Sequence, residues 1–178
     1  MIEQERVPML KYAMHYGAIL GLFWIVKYLF IIIGGFAGDV FIYLSSLLSV
    51  GTFLLVYVFY FKYRNSDPDK PKGIIKCILF VAAMAFFASI FEGAIMYMHY
   101  EVIHPEFFDL KVAGKFVEAT NNMENVWNFP NFDEVKQEMY TLAHSKFIYI
   151  ASQFMSNIMT LTFVGLVIGL LGDKRKVQ

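Results

Sequence analysis

IIKCILFVAAMAFFASIFEGAIMYM, residues 74–98, decides the fold. From Cys77 to Phe91 no residue carries a formal charge, and the apolar side chains fall on every face of a helix rather than along one stripe. A helix apolar all round is buried or lies in lipid. About 20 such residues, rising about 1.5 Å each, cross a hydrocarbon layer. One carboxylate, Glu92, interrupts the run near its end and asks for a partner.

Three other stretches read the same way. The spans are placed near 9–33, 39–61, 74–98 and 147–171. The chain has 178 residues, 58% hydrophobic and 17% charged, against about 45–50% and about 25% in soluble domains. The reading is an all-α integral membrane four-helix bundle, a single membrane domain over 1–178. A soluble helical bundle is the alternative, but its helices would alternate polar and apolar faces. The opening MIEQERVP has no basic region and no small-residue cleavage site follows, so the first span is expected to be retained. Cys77, the single cysteine, has no partner for an internal disulfide.

Lys and Arg set the expected orientation. Arg6 and Lys11 precede or open span one. Lys62, Arg64, Lys70, Lys72 and Lys76 surround the second connection, and Lys174, Arg175 and Lys176 close the chain. The 101–146 connection holds Lys111, Lys115, Lys136 and Lys146 against eight acids. N- and C-termini are therefore expected on the cytoplasmic side, with 101–146 as a partly helical extracytoplasmic insertion. GGFAGD (34–39) supplies glycines for a tight outer turn, and NSDPDKPKG (65–73) has the composition of an inner loop. Tyr12, Tyr16, Tyr57, Tyr60 and Tyr63 are expected at one membrane boundary, and Tyr43, Tyr97, Tyr100 and Tyr149 at the other.

Within the insertion, Pro105 suits the first position of a helix running to about Ala119, with Phe107, Leu110, Ala113 and Val117 on one side. Asn131 and Glu134 resemble a capping box. From there FDEVKQEMYTLAHSKF is expected to run unbroken into the fourth span.

A charge inside a span costs about 2.5–3.5 kcal/mol on insertion scales. Lys27 lies 18 residues past Met9 and Glu92 lies 18 past Ile74, in spans that run the same way. The two charges are expected at one depth, with Gln153, Asn157, Ser45, Ser49 and Ser89 in the same polar layer. Lys27 fits the helical faces less well and has snorkelling as its alternative. The layer reads as a structural device, as a proton or substrate site, or as a contact for lipid head groups. Two GxxxG motifs, GAILG (Gly17, Gly21) and GLVIG (Gly165, Gly169), are expected to pack spans one and four together, with dimerisation or docking of a foreign helix as the other reading.

His99, His104 and His144, with Glu101 and Glu106, are weak metal candidates whose spacing matches no strong motif. No phosphate-binding glycine loop, G-x-S-x-G or H-E-x-x-H is present. No cofactor and no nucleic acid are implied. The basic set Arg64, Lys70, Lys72, Lys76, Lys174, Arg175 and Lys176 reads as a topology signal, or as a face for anionic head groups or an acidic protein.

KYAMHYGAILGLFWIVKYLF at the start, HPEFFD after span three and GLVIGLLGDKRK at the end resemble a family of four-span inner-membrane proteins of Gram-negative bacteria, labelled only as a domain of unknown function. The resemblance implies the four-span layout and the inner membrane, and carries no catalytic residues. Its members often neighbour genes for a polyprenyl-phosphate glycosyltransferase. The expectation is a non-catalytic subunit that contacts membrane lipids and anchors or stabilises a partner protein, with that glycosyltransferase at the cytoplasmic face as the suggested partner, or that forms a homo-oligomer. The alternatives are a small transporter or lipid carrier using Glu92 and Lys27, and a membrane enzyme built on outer-face His and Glu side chains.

Overall fold

Four helices in the computed structural model are long and apolar enough to cross a membrane: α1 (Met9–Ala37), α2 (Val40–Arg64), α3 (Ile74–Met98) and α5 (Lys146–Gly172). A one-turn helix, α4 (Pro105–Phe107), lies between α3 and α5. The structure describes residues 8–67, 71–115, 118, 134, 137–138, 140–141 and 144–172. The described residues form no strand, and the protein is an all-α membrane helical bundle. The chain divides into two compact units, residues 1–92 with 154–178, and residues 93–153.

In the first unit, local chemistry sets the helix ends. Pro8 precedes α1 in extended conformation, and its carbonyl accepts the Lys11 N–H at 2.9 Å. α1 stops at Gly38, whose φ of +110° suits a residue without Cβ. Its N–H bonds the Gly34 carbonyl at 3.2 Å, and α2 starts at Val40. Gly34 also matters to this turn, because a Cβ there would lie 2.6 Å from the Ile42 side chain.

The core of this unit centres on α3. Cys77, Phe80, Val81, Met84, Ala85 and Ala88 are fully buried. Packed with them are Ala13, Leu20 and Trp24 from α1, Val56, Phe59, Tyr60 and Tyr63 from α2, and Leu161 from α5. Both glycine pairs meet α3, correcting the expectation that they join spans one and four. A Cβ at Gly17 would lie 2.7 Å from Phe87 Cβ, and one at Gly21 would lie 2.6 Å from the Phe91 ring. Gly165 faces Val81, and Gly169 faces Ile74 and the Tyr60 hydroxyl. Small residues let backbones approach where no larger side chain fits.

Some of the tyrosines expected at a membrane boundary pack inward. Tyr63 stacks on Phe80 with centroids 4.2 Å apart, and Tyr16 lies 4.7 Å from Phe59. Tyr60 and Tyr63 therefore belong to the core, whereas Tyr43, Tyr57 and Tyr97 are exposed. Outward-facing surface is rich in Leu, Val, Phe and Met along all four long helices. Contiguous apolar surface of this extent is foreign to a soluble monomer and is the surface a bundle presents to lipid.

In the second unit, α3 passes into a π-helical turn, His99–Ile103. His104 leaves helical geometry at φ −149°, ψ 74° because it precedes Pro105, which opens α4. A second π-helical turn, Phe108–Ala113, follows. The wider turn changes the side-chain register, so Phe108 and Ala113 are buried while Leu110 is 68% exposed. Leu110 therefore leaves the apolar side expected of it. Val117, Ala119 and Asn131, the capping residue of the expected box, lie outside the described residues.

The expected unbroken helix into the fourth span is interrupted at His144 and Ser145. Ser145 caps the new helix: its Oγ accepts the Ile148 N–H at 3.4 Å. Lys146 then ties the helix start to the π turn, donating to the Tyr100 carbonyl at 2.8 Å and pairing with Glu101 at 3.4 Å. Tyr100, Phe108 and Tyr149 form an aromatic triangle beside this contact, with centroids 5.1–6.2 Å apart.

Candidate functional site: the intramembrane polar layer

Glu92 stands on α3 one turn past Ser89, and its carboxylate is buried. Oε1 pairs with Lys27 Nζ of α1 at 3.3 Å, and Oε2 accepts the Asn157 side-chain amide of α5 at 2.5 Å. Each carboxylate oxygen thus has a donor from a different helix. The arrangement suits a charge in a low-dielectric interior, where only a hydrogen-bonded partner offsets lost hydration.

Lys27 does not snorkel. Its side chain is 17% exposed, with the ammonium 5.6 Å from the Trp24 ring centre. The long methylene stem reaches an acid that helical-face reasoning set apart from Lys27. Trp24 adds a contact the layer was not expected to hold. Its indole N–H donates to Thr52 Oγ1 of α2 at 3.1 Å, and both residues are buried. The ion pair, the Asn157 bond and the indole bond together link all four long helices within the first unit. The signal for Trp24 was its position three residues before Lys27, on the same helical face.

The serines do not join the carboxylate. Ser49 Oγ donates to the Ser45 carbonyl at 3.3 Å, the back-bond to which helical hydroxyls readily turn. Ser45 is buried on the same helix. Ser89 is 1% exposed, and its hydroxyl has no hydrogen-bond partner among the described residues. Gln153 belongs to the second unit and is described apart from this layer.

The basic set divides. Arg64 is buried at the end of α2, so it is no part of an open cationic face. Lys76 is exposed and Lys72 half-buried. Lys70, Lys174, Arg175 and Lys176 lie outside the described residues. In the second unit, the His99 and His104 rings are 6.3 Å apart, with Phe107 against both. His144 Nδ1 lies 2.8 Å from the Tyr140 carbonyl. Among the described residues, no three His, Cys, Asp or Glu side chains come together as metal ligands would.

Chemically, the layer is a neutral closed set. A carboxylate with both oxygens occupied, and an ammonium held against it and an indole face, fix the rotation and depth of α1, α3 and α5. The profile of a family described as "Protein of unknown function (DUF4199)" matches residues 15–174. No curated protein and no solved structure matches the chain.

Proposed function

This chain belongs to the DUF4199 family, and we propose that it is a non-catalytic membrane subunit that anchors or stabilises a partner. The observation that carries this reading is the closure of Glu92. Lys27 and Asn157 occupy its two oxygens, so the acid most suited to chemistry is spent on holding helices together. A rigid bundle with extensive outward apolar surface is suited to holding another membrane protein or a second copy of itself.

The proposed setting is the bacterial inner membrane, with both termini cytoplasmic. The Lys and Arg residues of the second connection and the tail support that orientation, as does the acidic 101–146 connection. A polyprenyl-phosphate glycosyltransferase at the cytoplasmic face is the partner class the family resemblance suggests. Affinity capture from gently solubilised native membranes tests the reading. One membrane protein should be retained in fixed ratio and should survive Glu92→Gln wherever the bundle stays folded. Failure to recover any reproducible partner or self-association would overturn it.

The carrier reading draws on the residual exposure of the Lys27 side chain. It requires solute or lipid movement in proteoliposomes that Glu92→Gln abolishes while leaving the fold intact. The subunit reading predicts no such movement.

A further inference from the structure

At one end of the first unit, the start of α1, the end of α2 and the start of α3 lie together. Tyr12 of α1 meets the Tyr63 ring of α2 at 5.7 Å, and Tyr63 stacks on Phe80 of α3. This end carries the side chains of Lys11, Lys62, Lys72 and Lys76. Lys11, Lys62 and Lys76 are exposed. Asp67 is the one acid of this end among the described residues, and none of the four ammonium groups is ion-paired with a described carboxylate.

Lys72 differs from the others because it is held. Its ammonium donates to Ser66 Oγ and stands 4.9 Å from the Tyr63 ring centre. The Ser66 hydroxyl in turn donates to the Tyr63 carbonyl at 2.8 Å. The Lys72 backbone N–H bonds the Arg64 carbonyl at 3.0 Å, and its own carbonyl accepts the Cys77 thiol at 3.7 Å. Both the backbone and the tip of this lysine are thus fixed beside the helix ends. An ammonium has three donors, and Ser66 takes one. The other two remain for an anion, and much of the ordering cost of binding is already met.

We propose that this end of the bundle binds the phosphate group of anionic phospholipids, with Lys72 as the fixed contact and Lys11, Lys62 and Lys76 as the surrounding positive field. The position suits that ligand, because the lysines stand where apolar helices emerge and lipid phosphates lie at that boundary. The site goes beyond the subunit reading and does not depend on a protein partner.

The test places the full chain in nanodiscs of equal parts phosphatidylcholine and phosphatidylglycerol. Native mass spectrometry then counts the lipids retained on release. Phosphatidylglycerol should be enriched over phosphatidylcholine. Lys72→Gln should lower that enrichment about fivefold, in line with the contribution of one lysine near an anionic surface. Lys72→Arg should preserve most of it. If Lys72→Gln does not fold, the exposed pair Lys62→Gln/Lys76→Gln carries the test and should also reduce enrichment.

Equal retention of the two lipids by the natural chain would overturn the proposal. So would enrichment unchanged in the folded lysine variants. Phosphatidic acid should compete with phosphatidylglycerol. Full displacement by millimolar inorganic phosphate would assign the site to free phosphate and overturn the lipid assignment. Capture of an acidic soluble protein by these lysines without any lipid preference would overturn it too.

Discussion

At the scale of single residues, Glu92 and Lys27 depend on each other more than either stabilises the fold. Glu92→Gln leaves an ammonium without its counter-charge, and Lys27→Met leaves the carboxylate with Asn157 alone. Breaking a buried pair from one side costs about 3–5 kcal/mol, whereas replacing both charges is often neutral or better. Each single change is expected to destabilise strongly, and Lys27→Met/Glu92→Gln to recover most of that loss. Equilibrium unfolding in mixed micelles measures the cycle, and simple additivity would show that the two charges are not coupled. Ser89 makes the opposite case. Its buried hydroxyl has no partner among the described residues, so Ser89→Ala removes an unrewarded polar group. It should leave stability unchanged or raise it by up to about 1 kcal/mol in the same assay.

At the scale of helices, the chain's apolar runs made the four long elements legible, because length and uniform apolarity alone mark a helix for lipid. Which helix sits in the middle was not legible. α1 and α3 are equally apolar all round, and only the contacts of Gly17, Gly21, Gly165 and Gly169 identify α3 as the shared neighbour. Counting residues puts Lys27 level with Glu92, where the ion pair joins them, but the pairing itself depends on side-chain reach, which a helical wheel omits. The π-helical turns were hidden for a related reason. They break the 3.6-residue period on which the expected Phe107–Leu110 face rested. Ser145 was readable in principle as a capping residue before Lys146, but the polar pattern of 132–144 masked it.

The glycines give a matched pair of predictions. At Gly17 a Cβ would lie 2.7 Å from Phe87 Cβ and 2.8 Å from the Met84 carbonyl oxygen. Gly17→Ala should therefore force α1 away from α3 and cost about 1–3 kcal/mol, the usual range for overpacking. Gly73 has nothing within 4 Å of such a Cβ and no positive φ. Gly73 is the N-cap of α3, its carbonyl accepting the Cys77 N–H. The unfolded-chain gain of Gly73→Ala is therefore offset by the cap preference for Gly, and the net change should stay within about 1 kcal/mol. Thermal unfolding of the two variants side by side checks the contrast. Equal effects would mean that the close approach of α1 to α3 is not what Gly17 serves.

At the scale of the whole molecule, the chain's own thiol makes the proposed orientation testable. Cys77 is the single cysteine and is fully buried, so it should stay silent towards a membrane-impermeant maleimide. New thiols can then be read against a low background. Thr120 falls in the acidic connection between the third and fourth spans, and Lys70 falls in the basic connection between the second and third. With two spans returning the chain and two more repeating the traverse, these connections must lie on opposite sides. The proposed orientation, argued from the Lys/Arg distribution, puts the basic one in the cytoplasm. Thr120→Cys in intact cells with a permeable outer membrane should label at once, and Lys70→Cys only after the inner membrane is opened. Reversed labelling would invert the topology while leaving the bundle unchanged. Labelling of both in intact cells would contradict the four-span arrangement itself, because a single span, α3, separates those two connections.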